Sequence, residues 1–319
     1  MKIVFLGTPD FAVPSLEALI EAGHDVQMVI TQPDRPKGRT GQPQPPPVKR
    51  IAQARGIPVF QPESVNSEEA ASKLASLKPD VLVVAAFGQI LKKRVIDAPR
   101  IACLNVHASL LPRYRGAAPV PASILGGDPL TGVTIQKMVR KLDAGDIIRQ
   151  ETTPVGANET ADALRDRLAR IGARALIEAL NDLEGGTAKL TPQDDSKATY
   201  APMLTKSDGL IKWPQAAEQI ARHVRAMTPW PGAYTFLPRG GKTLRLTIRR
   251  AEAQPPPDGG QQPGLPGEIV SVGRDTFAVR AGCGLLIVHE LQPAGKQPLT
   301  AAEFIRGYRL RTGERFAEG

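Results

Sequence analysis

"KIVFLGTPDFAVPSLEALIEAGHDVQMVIT", residues 2–31, decides how the rest of the chain is read. "KIVFLGT" is an unbroken apolar run without polar alternation, the pattern of a strand buried on both faces. "FAVPSLEALIEAG" repeats its apolar residues at helical spacing and closes at Gly23. "DVQMVIT" is a second short apolar strand. Strand, helix and strand in immediate succession make a βαβ unit, two parallel strands joined by a crossover helix.

The alternation continues outward. "VKRIAQARG" (48–56) predicts a helix, "PVF" (58–60) a short strand, and "SEEAASKLASLK" (67–78) a helix with Ser67 as its N-cap. "PDVLVVAAFG" (79–88) is a buried strand, and "IACLNVHAS" and "TGVTIQKM" are strand-like as well. Between Thr160 and Leu183, residues Leu164, Leu168, Ile171, Leu176, Leu180 and Leu183 recur at helical spacing, so this helix packs back on the sheet. The expected fold is α/β, with a Rossmann-like, doubly wound parallel sheet covered on both faces. Its first turn, Gly7-Thr8-Pro9-Asp10, has one glycine where the dinucleotide fingerprint GxGxxG needs three. Asp10 would also set a negative charge against a pyrophosphate, so NAD or FAD binding is disfavoured.

Past the polar, turn-rich stretch 186–206 the pattern changes. One helical segment, "AAEQIARHVRAM", precedes the short strands "AYTFL", "TLRLTIRR", "GEIVSV", "TFAVRA" and "GLLIVHEL", which suggest a small β-barrel. "AQPPPDGGQQPGLPG" (253–267) reads as an exposed loop between two of them. We therefore expect one domain over 1–206, including a linker at 186–206, and a barrel domain over 207–319. A chain of 319 residues suits two domains, and 41% hydrophobic residues suffice for ordinary cores. No apolar stretch is long enough to span a bilayer, and the N-terminus reads as a strand rather than a signal peptide. Two cysteines without CxxC spacing and four scattered histidines offer neither a disulfide framework nor a metal cluster. The expectation is a cytoplasmic, metal-free protein. Of the net charge of +9, the C-terminal part holds the denser share: 15 Lys and Arg against 10 Asp and Glu over 207–319, and 26 against 22 before that. A polyanionic partner such as RNA and a merely soluble basic surface explain this excess equally well.

"NVHASLLPRYRG" (105–116) holds an oddity at the end of an apolar run. Side chains two apart on a strand share a face, so Asn105 and His107 point one way and Val106 the other. They lie at the carboxyl end of a strand, where open α/β sheets bind ligands. A lone histidine there would read as a satisfied core residue; an Asn and a His on one face favour function. Asp143, in "KLDAGDI" (141–147), also follows a strand. On spacing alone it is a turn aspartate beside Gly145. If it converges with the other two, the three form an acyl-transfer site without a covalent nucleophile. Asn105 and protonated His107 would donate to a developing oxyanion, and Asp143 would orient His107 and support its charge. Neither a GxSxG elbow nor an activated cysteine is visible, which favours direct transfer between two substrates.

Together, "NVHASLLPRYRGAAPV" (105–120) and "GVTIQKMVRKLDAGDI" (132–147) resemble the signature of the folate-dependent formyltransferases. "FLGTPDFAVPSLEAL", "TQPDRPKGR", "GIPVFQPES", "ATYAPML", "TPWPGAYT" and "LQPAGK" extend the resemblance over nearly the whole chain, to the methionyl-tRNA formyltransferase family. The resemblance implies transfer of a formyl group from 10-formyltetrahydrofolate to the α-amino group of methionine on initiator methionyl-tRNA, for translation initiation. It implies a C-terminal barrel of oligonucleotide-binding type that holds the tRNA, and we expect a monomer.

By this resemblance Asn105, His107 and Asp143 are the catalytic three. Ser109, Leu110, Leu111 and Pro112 line the tetrahydrofolate pocket, with Phe87, Gly88, Gln89, Ile90 and Leu91 at the pterin slot. The Pro-rich loop 31–50 is longer than a usual strand-to-helix connection. In the family it enters the tRNA acceptor stem, which puts Arg35, Lys37, Arg39 and Lys49 on phosphates, Arg39 matching the family's important arginine. After Arg39 this chain runs Thr-Gly-Gln-Pro-Gln-Pro, where relatives often place lysines. Phe11 reads equally as a core residue of the first helix and as a contact to the methionine side chain. Two rival functions remain. A formyltransferase for an amino sugar or other small amine is opposed by the long basic loop and basic C-terminal region. A non-catalytic RNA-binding protein on this scaffold is opposed by the intact Asn105, His107 and Asp143.

Overall fold

The computed structural model describes residues 1–36, 41–256 and 264–317. The apolar runs form strands because each can bury both faces. Lys2–Gly7 is buried at every position after Lys2, and Val81–Ala85 is buried throughout. Seven strands make one sheet in the order Ile147–Pro154, Leu130–Lys137, Ala102–His107, Val81–Ala85, Lys2–Gly7, Asp25–Ile30 and Val59–Phe60. The last five run parallel, and the helices Val13–Glu21, Pro47–Ala54 and Glu68–Leu77 alternate with them in the chain. Ser67 caps the third of these helices, its side chain accepting the Ala70 N–H at 3.2 Å.

The expectation of a wholly parallel sheet is corrected at one edge. Leu130–Lys137 runs antiparallel to Ala102–His107, and Ile147–Pro154, which the sequence did not mark as a strand, runs antiparallel to it in turn. The connection from His107 to Leu130 is long enough for either direction, so an apolar pattern alone does not set it. The helix Ala161–Glu184 covers this part of the sheet, with Leu164, Leu168, Leu176 and Leu180 fully buried. Burying each leucine contributes about 1.5–3 kcal/mol. At Gly172 the helix comes so close that an added Cβ would lie 2.8 Å from Val106 and 3.2 Å from Val133. Val106 thus faces the helix, which leaves Asn105 and His107 to the opposite face. On that face Leu82, Val84 and Cys103 belong to an apolar cluster with Val4, Leu6, Met28 and Ile30. The two polar residues come just beyond it.

The chain divides into two compact units. The first comprises 1–119, 129–154 and 163–202; the second comprises 203–319 together with the short segments 120–128 and 155–162. The second unit is an antiparallel sheet in the order Ala233–Arg239, Lys242–Gln254, Leu285–Pro293, Phe277–Arg280 and Ile269–Val272, with Leu299–Thr300 added to Leu285–Pro293. The C-terminal segment bonds to both edges of this sheet. Ala317 exchanges backbone bonds with Phe236, while the Ile269 and Phe316 N–H groups donate to Glu314 and Gly267. The barrel anticipated from strand spacing is therefore half formed by its sheet, and the tail bridges the gap. Inside, Trp213 stacks on Phe316 at 5.4 Å and donates its indole N–H to Thr235 at 2.9 Å.

Candidate active site

Asn105 lies opposite Gln136 on the neighbouring strand, and His107 opposite Thr134. Cross-strand partners share a face, so these four side chains form one polar patch on an otherwise apolar sheet. Gln136 and Thr134 are 1% and 0% exposed, which obliges them to find partners within the protein. Thr134 does so by donating to the Ser109 carbonyl at 2.7 Å and accepting the Leu111 N–H at 3.1 Å.

Asp143 reaches this patch by a route the sequence did not suggest. Its strand runs antiparallel, so its carboxyl end lies at the other edge, and the loop 138–146 folds back over the face. The turn depends on Gly145, where a Cβ would lie 1.7 Å from the Lys137 carbonyl oxygen. Asp143 itself is left-handed, with φ of 46°. Its Oδ1 accepts from Gln136 Nε2 at 2.9 Å and from Asn105 Nδ2 at 3.4 Å, and lies 3.8 Å from His107 Nδ1. Its Oδ2 accepts the Gly116 N–H at 2.9 Å. The convergence expected of Asn105, His107 and Asp143 is present.

His107 is 5% exposed, and its Nε2 lies 2.9 Å from the Tyr114 carbonyl oxygen. A carbonyl only accepts, so Nε2 carries a proton and donates. Nδ1 is the ring atom left for chemistry, on the side of Asp143. Asn105 is half-buried and spends one amide hydrogen on the long contact to Asp143, so it still has a donor to offer. Cys103, two residues earlier on the same face, is no rival nucleophile. Burial, and then the Asp97 charge, push its thiol up to about 12, far from the thiolate.

The other expected site residues divide. Ser109 is 0% exposed and donates to the Arg113 carbonyl at 2.7 Å; Leu111 is buried at 3% exposure; Leu110 and Pro112 are half-buried. Phe87 and Leu91 lie in the apolar cluster, Gly88 is exposed, and Ile90 is largely exposed. Gln89 is engaged structurally, accepting the Val65 N–H at 2.8 Å and donating to the Glu63 carbonyl at 3.2 Å. Phe11 is buried. Arg35 is exposed on a short hairpin, Arg35–Pro36 against Pro43–Gln44. Lys49 is paired with Asp34 at 2.8 Å. The hydrogen bonds of Gln61 and Lys49, in that order, and the Lys49 charge hold the Asp34 carboxyl below its usual range. Lys37 and Arg39 lie outside the described residues. Sequence reasoning missed Gln136, Gly116 and Tyr114. A glutamine within "GVTIQKM" at an inward position was the available signal for the first, and nothing local marked the other two.

Among the described residues no group of three or more His, Cys, Asp or Glu is arranged to hold a metal ion.

The sequence matches the formyl transferase family model over residues 1–180 and the formyl transferase C-terminal domain model over residues 203–309. A methionyl-tRNA formyltransferase of Citrifermentans bemidjiense is 48% identical over 314 residues, 98% of this chain and 95% of that one. One from Geobacter sulfurreducens is 47% identical over 318 residues, 100% of this chain and 97% of that one. Among solved structures, the N-formyltransferase of Helicobacter canadensis, in complex with folinic acid and dTDP-3-aminofucose, matches with a TM-score of 0.67 over 94% of this chain and 100% of that one. At 18% identity that match speaks for the fold alone. The chain belongs to the formyl transferase family, and within it stands with the methionyl-tRNA formyltransferases.

Proposed function

We infer that this chain is an enzyme that transfers a formyl group from 10-formyltetrahydrofolate to the α-amino group of methionine on initiator methionyl-tRNA. The observation that carries the reading is the meeting of Asn105, His107 and Asp143 on one sheet face, combined with full-length relatives of that name. An α-amino group of pKa about 7.7–8.0 is a competent nucleophile near neutral pH, and esterification lowers it further. As the amine adds to the formyl carbon, negative charge gathers on the formyl oxygen. Asn105 Nδ2 and the Nδ1–H of the His107 imidazolium are the donors for that charge. Asp143 supplies the opposite charge that the imidazolium needs. Collapse of the tetrahedral intermediate breaks the bond between the formyl carbon and the folate N10. His107, Asp143 and a bound water are the groups available to carry the proton lost by the amine to N10, the leaving nitrogen.

For the folate, a flat heterocycle needs apolar walls and backbone hydrogen-bonding groups. The residues present fit that requirement. Ala86 and Gly88 turn the backbone left-handed at φ of 45° and 90°, with both residues exposed, and half-buried Leu110 and Pro112 offer apolar surface. We read Arg35, Lys37, Arg39 and Lys49 as the tRNA-facing cations of the loop, Arg35 the most available of those described and Lys49 the least. We assign folate binding and chemistry to 1–206 and tRNA anchoring to 207–319. All three reacting residues come from one chain, which suits a monomer, and charged tRNA as substrate suits a cytoplasmic enzyme.

The test offers 10-formyltetrahydrofolate with methionyl-tRNA and, in parallel, with a nucleotide-linked amino sugar. Formylmethionyl-tRNA as the product is expected; formylation of the sugar alone would replace this reading. A fragment ending at 206 should bind the folate yet lose salt-dependent tRNA affinity. Each duplex phosphate contact contributes roughly 0.9 to the slope of log affinity against log salt, so an undiminished slope would return tRNA anchoring to the first part of the chain.

A further inference from the structure

Two residues orient His107, one on each ring nitrogen, and both have unusual backbones. Tyr114, whose carbonyl takes the Nε2 proton, has φ of 60°, and Asp143, whose carboxylate faces Nδ1, has φ of 46°. Left-handed conformations in residues with a Cβ cost roughly 1–2 kcal/mol, so each needs restraint from its surroundings. The bonds from Gln136 and Gly116 hold the Asp143 carboxylate but leave its main chain unaddressed.

That restraint comes from the polar stretch 186–206, which by composition reads as a mere connector. Gln193 Nε2 donates to the Asp143 carbonyl and to the Gly145 carbonyl, each at 2.8 Å, spending both amide hydrogens across the turn. Its Oε1 accepts from Arg115 Nε at 3.1 Å and Nη2 at 2.8 Å. Arg115 is 1% exposed, and its Nη2 also lies 2.8 Å from Asp195 Oδ1. Its Nη1 is buried, with no hydrogen-bond partner among the described residues. Six residues further on, Thr199 Oγ1 accepts the Tyr114 N–H at 2.8 Å, and its carbonyl accepts the Arg115 N–H at 2.8 Å. One short segment thus restrains both residues that orient the histidine.

We propose that Gln193–Thr199 is a positioning strap for the formyl transfer, in which Gln193, locked by Arg115, sets the direction of the Asp143 carboxylate, and Thr199 sets the Tyr114 carbonyl. It rests on the reading of Asn105, His107 and Asp143 as the reacting groups. Gln193 and Thr199 are positioning residues, since they act on His107 only through Asp143 and Tyr114.

The test uses the full chain and compares Gln193→Glu, Asp143→Asn and the double variant. Gln193→Glu keeps an acceptor for Arg115 but turns oxygen towards the two carbonyls. A misplacement of about 1 Å near reacting atoms costs up to about 10²-fold, so kcat should fall between about tenfold and a hundredfold, with KM for folate and tRNA unchanged. Because Gln193 works through Asp143, the double variant should be no slower than Asp143→Asn alone. Thr199→Val should also lower kcat, and Thr199→Ser should restore it; this pair decides the matter if the Gln193 variant fails to fold. Wild-type kcat in Gln193→Glu beside a slow Asp143→Asn would overturn the strap alone, as would multiplying losses in the double variant. Full activity in Asp143→Asn would overturn the site reading and the strap with it.

Discussion

The neighbouring parallel strands Val81–Ala85 and Ala102–His107 end side by side, and each leads into a segment with left-handed residues. Their polar groups have different fates. Beyond Val81–Ala85 the Phe87 carbonyl accepts from Thr8 Oγ1 at 2.9 Å and Gln32 Nε2 at 3.3 Å, while Gln89 is committed to the 63–65 loop at both ends of its amide. Gln61 and Lys49 tie Asp34 into the same surroundings. The hydrogen bonds of Thr8, Gln32, Gln61 and Gln89 on that side hold loops together. At the end of Ala102–His107, by contrast, supporting bonds stop one atom short: His107 keeps Nδ1 and Asn105 keeps an amide hydrogen. Polar residues at a carboxyl edge thus do not by themselves make a reacting site. A site is where the surrounding structure satisfies the support and leaves the working atoms free.

The largest effect should come from His107→Ala. Losing an oxyanion donor typically costs about 10²–10³ in kcat. This variant also removes a buried ring and its bond to Tyr114, so a lower melting temperature should accompany the kinetic loss. Turnover equal to wild type would erase the difference between the two edges. Gln89→Ala should do the opposite. Two side-chain bonds, each contributing about 0.5–1.5 kcal/mol net, would be lost from stability, while the single-turnover rate at saturating substrates should stay at the wild-type value. A slow but fully stable Gln89→Ala would move that side chain from support to chemistry.

The smallest effect concerns Asp34. Its folded-state value is depressed, so its contribution to stability is present above the ordinary carboxylate range and is lost as pH falls through the lowered value. Asp34→Asn should be slightly less stable than wild type at neutral pH, and the gap should close on acid titration below about pH 4. A gap that is constant with pH would mean that the charge is not what secures this loop.

The two edges also show what a sequence carries. The parallel core was legible because "KIVFLGT" and "PDVLVVAAFG" have no polar face to expose, and Ser67 announced its helix by position. The direction of Leu130–Lys137 was not legible, since an apolar run has no polarity of its own. Ile147–Pro154 was hidden because an edge strand rich in Arg, Gln, Glu and Thr does not look buried. Asn105 and His107 could be placed on one face from their spacing. That Asp143 would join them depended on a fold-back through Gly145, which only the resemblance anticipated. Gln193 could not be found from sequence at all, because its partners, two main-chain carbonyls and the Arg115 side chain, lie about fifty to eighty residues away.

Asn105→Ala tests the central claim most directly. Its side chain is half-buried, and the side-chain hydrogen bond it makes among the described residues is the long 3.4 Å one to Asp143, so the fold depends on it little. The measurement is single-turnover formylation of methionyl-tRNA with saturating 10-formyltetrahydrofolate, alongside a thermal melt. The rate should fall by about 10²–10³ while the melting temperature and tRNA affinity stay at wild-type values. A wild-type rate, or a loss that tracks a collapse in stability, would contradict it.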